Sequence, residues 1–157
     1  MSCGTCPSWN FESNTTEGWV NDTNTSSTVT PVAKPTPPGA PFSGSAYSLS
    51  VPTSLVGQGQ TGPVIAAITV PLCGNASTSA DITGFSFYLY MDGPTYTPGK
   101  EIAQTEGGGV LMSPVSKQWM LVSTTFATAS ASYLQISFNP MAAWSGTIYI
   151  DQVQIAH

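Results

Sequence analysis

The feature that most constrains the fold is a strict alternation of apolar and polar side chains between residues 84 and 92. Phe85, Phe87, Leu89 and Met91 occupy one parity, whereas serine and tyrosine occupy the other. Because successive side chains of a β-strand point to opposite faces of a sheet, this stretch predicts a strand with one face in a core. A helix would show apolar residues at a period of 3.6, and no segment of the chain has such a stripe.

Further short runs are rich in β-branched and aromatic residues and are bounded by Gly, Pro, Asn and Ser. The predicted strands are Trp9–Ser13, Gly18–Thr23, Ser27–Ala33, Tyr47–Pro52, Val64–Pro71, Gly84–Asp92, Glu101–Thr105, Gln118–Phe126, Tyr133–Asn139 and Gly146–Ile155. The glycine-rich stretches 57–60 and 107–109 are predicted to be flexible loops. We therefore expect an all-β sandwich of two packed sheets, with residues 1–8 as an N-terminal arm and residues 9–157 as a single module.

Composition excludes several classes of partner. Only 7% of the residues are charged, the net charge is −5, and the basic residues are three lysines. Such a chain has no basic patch for nucleic acid or for an anionic membrane. The longest apolar stretch, residues 64–72, is far shorter than the roughly 20 residues of a spanning helix. A surface of neutral Ser, Thr, Asn and Gln is typical of secreted proteins that meet hydroxyl-rich ligands, and we expect an extracellular protein whose sequence here begins after a cleaved signal peptide.

The cysteines predict a disulfide and not a zinc site. Cys3, Cys6 and Cys73 are too few for a four-cysteine centre, and His157 is the single histidine. We expect one disulfide, with Cys6–Cys73 favoured. Pairing between Cys3 and Cys6 and three reduced thiols stay open as alternatives.

Two predicted strands carry polar and aromatic side chains on their outward parity. Tyr88 and Tyr90 alternate with the apolar residues of one strand, and Tyr133, Gln135 and Ser137 do the same in another. We expect these strands to be neighbours that share one aromatic and amide-rich outer face.

The motifs along the chain together resemble a known family. They are Trp9–Ser13 followed by Gly18-Trp19, then Gly44–Val51, Phe85–Tyr90 and Gly146–Ile155. In order and spacing they are similar to jelly-roll carbohydrate-binding modules of the family 4, 9, 16 and 22 type, within the galactose-binding-like group. The resemblance extends from Asn10 to Ile155 and implies a jelly roll of two antiparallel sheets.

The resemblance also implies a structural calcium ion. In modules of this type, carboxylates of the first and last strands hold calcium, and the matching residues are Glu12 and Asp151. Backbone carbonyls of Asn10 and Ala46 would complete the shell, because calcium takes several hard oxygen ligands. Ser43 stands where some relatives carry an acidic ligand. The alternative is that Glu12 and Asp151 only accept hydrogen bonds from backbone amides.

The side chains needed to bind a sugar are present. Aromatic rings stack on the C–H faces of sugar rings, and amides bond to their hydroxyl edges. The candidate stacking rings are Tyr88, Tyr90, Trp119, Tyr96 and Trp144, and the candidate edge partners are Gln104, Gln135 and Gln118. For Trp119 and Trp144, packing in the core or against a loop is the open alternative.

The predicted function is therefore non-catalytic binding of a neutral polysaccharide of the β-glucan, xylan or mannan class on the concave sheet. No two of the eight acidic residues pair on one strand face, as a glycosidase would require. The resemblance implies a monomeric module that targets an appended extracellular catalytic domain. A structural or adhesive β-sandwich without a sugar site is the alternative.

Overall fold

The computed structural model describes residues 8–25, 29–59, 62, 64, 66–72 and 79–157. These residues form ten β-strands and no α-helix. The strands are β1 (Val20–Asn21), β2 (Val32–Pro35), β3 (Tyr47–Leu55), β4 (Ala66–Pro71), β5 (Ala80–Asp92), β6 (Ala103–Thr105), β7 (Gly108–Val110), β8 (Met120–Ala131), β9 (Tyr133–Phe138) and β10 (Trp144–Ala156). No helix in the described ranges is long and apolar enough to cross a lipid bilayer.

The strands form two five-stranded sheets with one core between them. The first sheet has the order β1-β4-β9-β6-β7, and the second has the order β2-β3-β10-β5-β8. Every neighbouring pair of strands is antiparallel. The core takes alternate residues from both sheets, among them Ile68, Phe87, Leu134, Ile136, Ile148 and Ile150. The prediction of an all-β sandwich of two antiparallel sheets is confirmed.

The predicted first strand, Trp9–Ser13, is wrong. Trp9 makes an isolated bridge to Val153, and a turn follows it. Phe11 has a φ of 58°, in the left-handed region that a strand residue does not adopt. Its ring is fully buried, so burial accounts for the apolar residues that suggested a strand.

The glycine run that was predicted to be a flexible loop instead forms a strand. Residues 108–110 pair with β6 as β7 at the edge of the first sheet. A Cβ on Gly108 would lie 3.2 Å from the Phe126 ring. Glycine therefore allows the second sheet to pack closely against this hairpin.

Some predictions concern residues that the structure does not describe. Cys3, Cys6 and Cys73 lie outside the described residues, as does the predicted arm apart from Ser8. The disulfide stays a prediction.

We expect Phe87→Ala to destabilise the fold by about 3–5 kcal/mol, because Phe87 is fully buried and its removal leaves a cavity between the sheets. Urea unfolding would measure the change. Leu121→Ala is the control, since Leu121 is 53% exposed on β8, and it should change stability by about 0.5 kcal/mol or less. Equal losses for the two variants would contradict this assignment of the core.

Candidate functional site

The outer surface of the first sheet carries a line of hydrogen-bonded polar side chains. Gln104 of β6 and Gln135 of β9 are direct cross-strand partners. Gln104 Nε2 donates to Gln135 Oε1 at 2.7 Å, and Gln135 Nε2 donates to a carboxylate oxygen of Asp22. Thr69 of β4 lies opposite Gln135 on its other side. Three strands and the end of β1 thus position one continuous polar line.

Tyr133 adds an aromatic ring to this surface. It lies two residues before Gln135 on β9, so both side chains point outward, and it is half-buried. Burial raises the pKa of the Tyr133 hydroxyl, and the negative charges of Glu106 and Asp22 raise it further. We call the surface formed by Asp22, Thr69, Gln104, Tyr133 and Gln135 the polar face.

A cleft of about 380 Å³ continues the polar face at the end of β9. Its lining residues are Val64, Gly99, Lys100, Glu101, Gln104, Leu111 and Ser137. Gln104 belongs to both the cleft and the polar face, and Ser137 follows Gln135 on the same parity of β9. The cleft and the polar face therefore form one surface that combines amide, hydroxyl, carboxylate and ammonium groups.

The predicted aromatic residues lie on the other side of the sandwich. Tyr88 and Tyr90 belong to β5 in the second sheet, between β10 and β8, whereas Gln135 belongs to β9 in the first sheet. The prediction that the strands of Tyr88 and Gln135 are neighbours is therefore wrong. Both strands point their apolar residues into the same core, so their outward residues diverge. No single flat surface carries both sets.

The outward rings of the second sheet form a packed cluster under residues 36–44. The ring of Phe42 lies 4.9 Å from Tyr88 and 5.4 Å from Trp119, and Tyr90 lies 5.4 Å from Trp119. Tyr149 packs edge-on against Tyr90 at 6.1 Å. We call Phe42, Tyr88, Tyr90, Trp119 and Tyr149 the aromatic cluster.

Trp119 is 8% exposed, and its Nε1 donates to the carbonyl of Pro37 at 3.2 Å. Tyr88 and Tyr90 stay half-buried. Sugar contact by these three residues stays a prediction, because Tyr88 and Tyr90 keep part of their surface exposed whereas Trp119 is covered.

Trp144 and Tyr96 hold a loop in place. Each is 2% exposed, and their rings meet edge to face at 5.9 Å. Trp144 Nε1 donates to Pro94 O at 2.8 Å, and the Tyr96 hydroxyl accepts the Asn139 amide at 3.0 Å. Burial raises the pKa of the Tyr96 hydroxyl. Neither ring presents a face to a ligand, because both faces are covered by the protein.

The two predicted calcium-binding carboxylates lie in one region. Asp151 is fully buried and accepts hydrogen bonds from the hydroxyls of Ser45 at 2.6 Å and Ser48 at 3.2 Å. Glu12 Oε1 accepts the amides of Ala46 at 2.9 Å and Tyr47 at 3.3 Å.

Burial raises the pKa of the Asp151 carboxyl, against the hydrogen bonds that lower it, and the negative charge of Glu12 raises it further. The ion pair found in the described residues joins Lys117 to Asp92, so neither Asp151 nor Glu12 is paired with a lysine there. The nearest lysine in register is Lys34 of β2, the cross-strand partner of Ser48.

Backbone ligands are arranged less favourably than predicted. The carbonyl of Ala46 already accepts the Thr36 amide at 3.1 Å. The Asn10 side-chain oxygen accepts the Glu12 amide at 3.3 Å within a turn. Within the described ranges, no cluster of three or more His, Cys, Asp or Glu residues could hold a metal. Hydroxyls of Ser45 and Ser48 are the additional hard oxygens beside Asp151.

Sequence reasoning missed Asp22, Glu101 and the cleft. Asp22 falls at the end of the predicted strand Gly18–Thr23 without a pattern that marks a site, and only the register of β1, β4 and β9 brings it to Gln135. Glu101 and Lys100 precede β6 without a local pattern that marks a site. The alternation of β9 was the one usable signal, because it placed Tyr133 and Gln135 on the same outward parity.

No protein-family model and no curated protein matches the sequence. Solved structures do match the fold. The CBM22-1 xylan-binding domain of Xyn10C from Paenibacillus barcinonensis has a TM-score of 0.54 and 13% identity over 99% of this chain and 96% of its own. A carbohydrate-binding module specific for non-crystalline cellulose, CBM28, has a TM-score of 0.52 and 12% identity over 94% of this chain and 92% of its own.

The enzymatically active domain of tailspike protein 4 from bacteriophage CBA120 has a TM-score of 0.51 and 16% identity. That match covers 94% of this chain but 20% of the tailspike chain. The two carbohydrate-binding modules match along nearly their whole length. The chain therefore has the fold of jelly-roll carbohydrate-binding modules, as the resemblance in its sequence predicted.

Proposed function

We propose that this chain is a non-catalytic module that binds a neutral polysaccharide on the polar face of the first sheet. The observation that carries the proposal is the hydrogen-bonded line from Asp22 through Gln135 to Gln104, which leads into a cleft. The line fixes the orientation of both amides before a ligand arrives. Pre-oriented side chains lose less entropy on binding.

The polar face offers the hydrogen bonds that sugar hydroxyls need. Gln104 uses one amide proton on Gln135, which leaves its carbonyl oxygen and its second proton. Gln135 keeps one further amide proton. Asp22 is 9% exposed, and its two oxygens accept hydrogen bonds from Gln135 and from the Asn24 amide, so it orients Gln135. Tyr133 supplies the aromatic ring for a C–H face.

Charge favours a neutral glycan as the ligand. The net charge of −5 and the scarcity of lysine disfavour an anionic chain. Two modules of the same fold are described as binding xylan and non-crystalline cellulose. The proposed ligands are accordingly of the β-glucan, xylan or mannan class.

The proposed biological role is to bring an appended extracellular enzyme to its substrate as a monomeric module. Each neutral hydrogen bond to a sugar hydroxyl contributes a net of only about 0.5–1.5 kcal/mol, because water is displaced from both groups. Individual affinity is therefore modest, and a linked catalytic domain would benefit from the raised local concentration.

We expect Gln135→Ala to weaken binding roughly two- to tenfold, because it removes the central side chain of the line and at least one hydrogen bond to the ligand. Affinity electrophoresis in gels that contain xylan, hydroxyethyl cellulose, mannan or mixed-linkage glucan would measure it. Gln154→Ala is the matched control, since Gln154 is exposed on the second sheet.

The double variant Tyr88→Ala, Tyr90→Ala tests the other face in the same gels. We expect unchanged retardation, because both rings pack in the aromatic cluster. Retardation that depends on the tyrosines and not on Gln135 would place the site on the second sheet. A wild-type protein that no polysaccharide retards would favour the structural or adhesive alternative.

We also propose that Glu12 and Asp151 hold a structural calcium ion. A buried carboxylate with a raised pKa, a second carboxylate beside it and two hydroxyls fit a hard cation, which would offset the repulsion between the acids. Ser45 and Ser48 would contribute oxygens, with carbonyls of Asn10 and Ala46 as further ligands. The ion would supply stability and no reaction chemistry.

We expect millimolar calcium to raise the melting temperature at neutral pH and chelator to lower it again. The folded-state pKa of Asp151 lies above its ordinary value, so in the absence of metal its charged form costs stability above that pKa. As pH falls through the folded pKa, the carboxyl binds a proton, that cost disappears, and calcium loses its ligand. The calcium-dependent shift should therefore vanish in acid, which thermal unfolding at several pH values would show.

Asp151→Asn should abolish the calcium response, because the amide keeps the size of the side chain but loses its charge. Asp81→Asn, which removes an exposed acid, should leave the response intact. A melting temperature that neither calcium nor chelator changes would refute the metal site.

A further inference from the structure

Glu101 carries the one carboxylate of the cleft, and its side chain lies across the backbone of Gly109. A Cβ on Gly109 would come within 2.7 Å of Glu101 Cδ and 2.9 Å of the carbonyl oxygen of Ala103. Gly109 is also the cross-strand partner of Gln104. The absence of a side chain at position 109 therefore lets the carboxylate lie beside the Gln104 amide on the outer face.

The backbone of Glu101 is held in place as well. Its carbonyl accepts the Ser137 hydroxyl at 2.9 Å. The next residue, Ile102, donates its amide to Val110 O at 2.8 Å and accepts the Ser137 amide at 3.0 Å. The backbone at Glu101 and Ile102 is thus held by β7 on one side and by β9 on the other.

The carboxylate itself keeps its acceptor capacity. In the described part of the chain, no group donates a hydrogen bond to it, and neither Glu101 nor Lys100 belongs to the ion pair. The Glu101 side chain is exposed. A carboxylate with both oxygens available can accept two hydroxyl protons at once, and charge-assisted bonds of this kind are the strong ones.

We propose that Glu101, seated on Gly109, determines the specificity of the cleft by accepting both hydroxyls of a vicinal diol on one sugar ring. The inference rests on the proposed function and deepens it. The ligand unit must carry two free adjacent hydroxyls, as an unsubstituted 1,4-linked residue does at O2 and O3. A 1,3-linked residue has O3 blocked, so it cannot satisfy both carboxylate oxygens.

The first test is Glu101→Gln, which keeps the size of the side chain and removes its charge. We expect affinity for 1,4-linked chains with free O2 and O3 to fall about ten- to a hundredfold, measured by affinity electrophoresis with linear xylan and by calorimetry with cello- and xylo-oligosaccharides. A 1,3-linked glucan should bind the wild type weakly and should not distinguish it from the variant. Equal wild-type affinity for the two linkages would overturn the diol requirement.

The second test is Gly109→Ala, which displaces the carboxylate without removing it. Affinity should fall as in Glu101→Gln, and the double variant should be no weaker than Glu101→Gln alone, because both changes act on one contact. Gly108→Ala is the matched control, since its Cβ would meet only the Phe126 ring at 3.2 Å, and it should bind as the wild type does. A further loss of affinity in the double variant would show that Gly109 acts through the hairpin backbone. It would overturn the role of Gly109 in leaving room for the Glu101 carboxylate.

Folding of each variant is checked by circular dichroism and melting temperature. If Gly109→Ala does not fold, Glu101→Asp replaces it, because the shorter side chain withdraws the carboxylate and should lose affinity. Wild-type retardation that Gln135→Ala weakens but Glu101→Gln leaves unchanged would overturn this inference and retain the proposed function. A wild type that binds no polysaccharide would overturn both.

Discussion

The shared core of the two sheets is the constraint on which the rest of the structure depends. Leu134 and Ile136 must point into it from the first sheet, as Phe87 and Leu89 must from the second. Since side chains alternate along a strand, the residues between them must point away from the core. Their outward sets consequently lie on opposite sides of the sandwich, so one ligand cannot contact both across a single sheet.

The outward side chains of the two sheets make different kinds of contact. On the second sheet, residues 36–44 place Phe42 against Tyr88 and Trp119, so apolar ring surface is removed from water by the protein itself. On the first sheet, no comparable aromatic contact occurs among the described residues, and the outward side chains bond to one another instead. A surface whose polar groups are already oriented and still incompletely bonded is suited to hydroxyl-rich ligands. A surface whose rings are mutually packed is suited to stability.

Alternation made most of the strands predictable, but it did not predict how they pair. Tyr47–Leu55, Ala80–Asp92 and Trp144–Ala156 all contain the predicted segments, because a half-buried strand shows its parity locally. The predicted strand Trp9–Ser13 was wrong because a turn that buries an aromatic residue such as Phe11 can have the same composition as a short strand. The edge strand Gly108–Val110 was not predicted because glycines have no side chains and therefore show no alternation of apolar and polar residues.

The candidate site was harder to predict than the fold because it depends on register. Gln104 and Gln135 were recognised as polar candidates, but Asp22 reaches Gln135 only through pairings of strands far apart in sequence, and Glu101 reaches Gln104 through the β6–β7 hairpin, which was not predicted. Two of the aromatic candidates were instead predicted from composition alone, and the structure buries them. Trp144 and Tyr96 have the composition of a sugar-binding surface, yet hydrogen bonds to Pro94 and from Asn139 show that they secure a loop.

The buried acid of β10 connects the second face to the proposed calcium site. The Thr36 hydroxyl lies 2.8 Å from both Ser45 and Ser48, and those two hydroxyls bond to Asp151. Thr36 and Ser45 border the segment that covers the aromatic cluster, so one carboxylate anchors both ends of that cover. A charge buried at this position is costly unless its hydrogen bonds or a cation compensate for it. Whatever stabilises Asp151 therefore also helps to hold residues 36–44 against the rings of the second sheet.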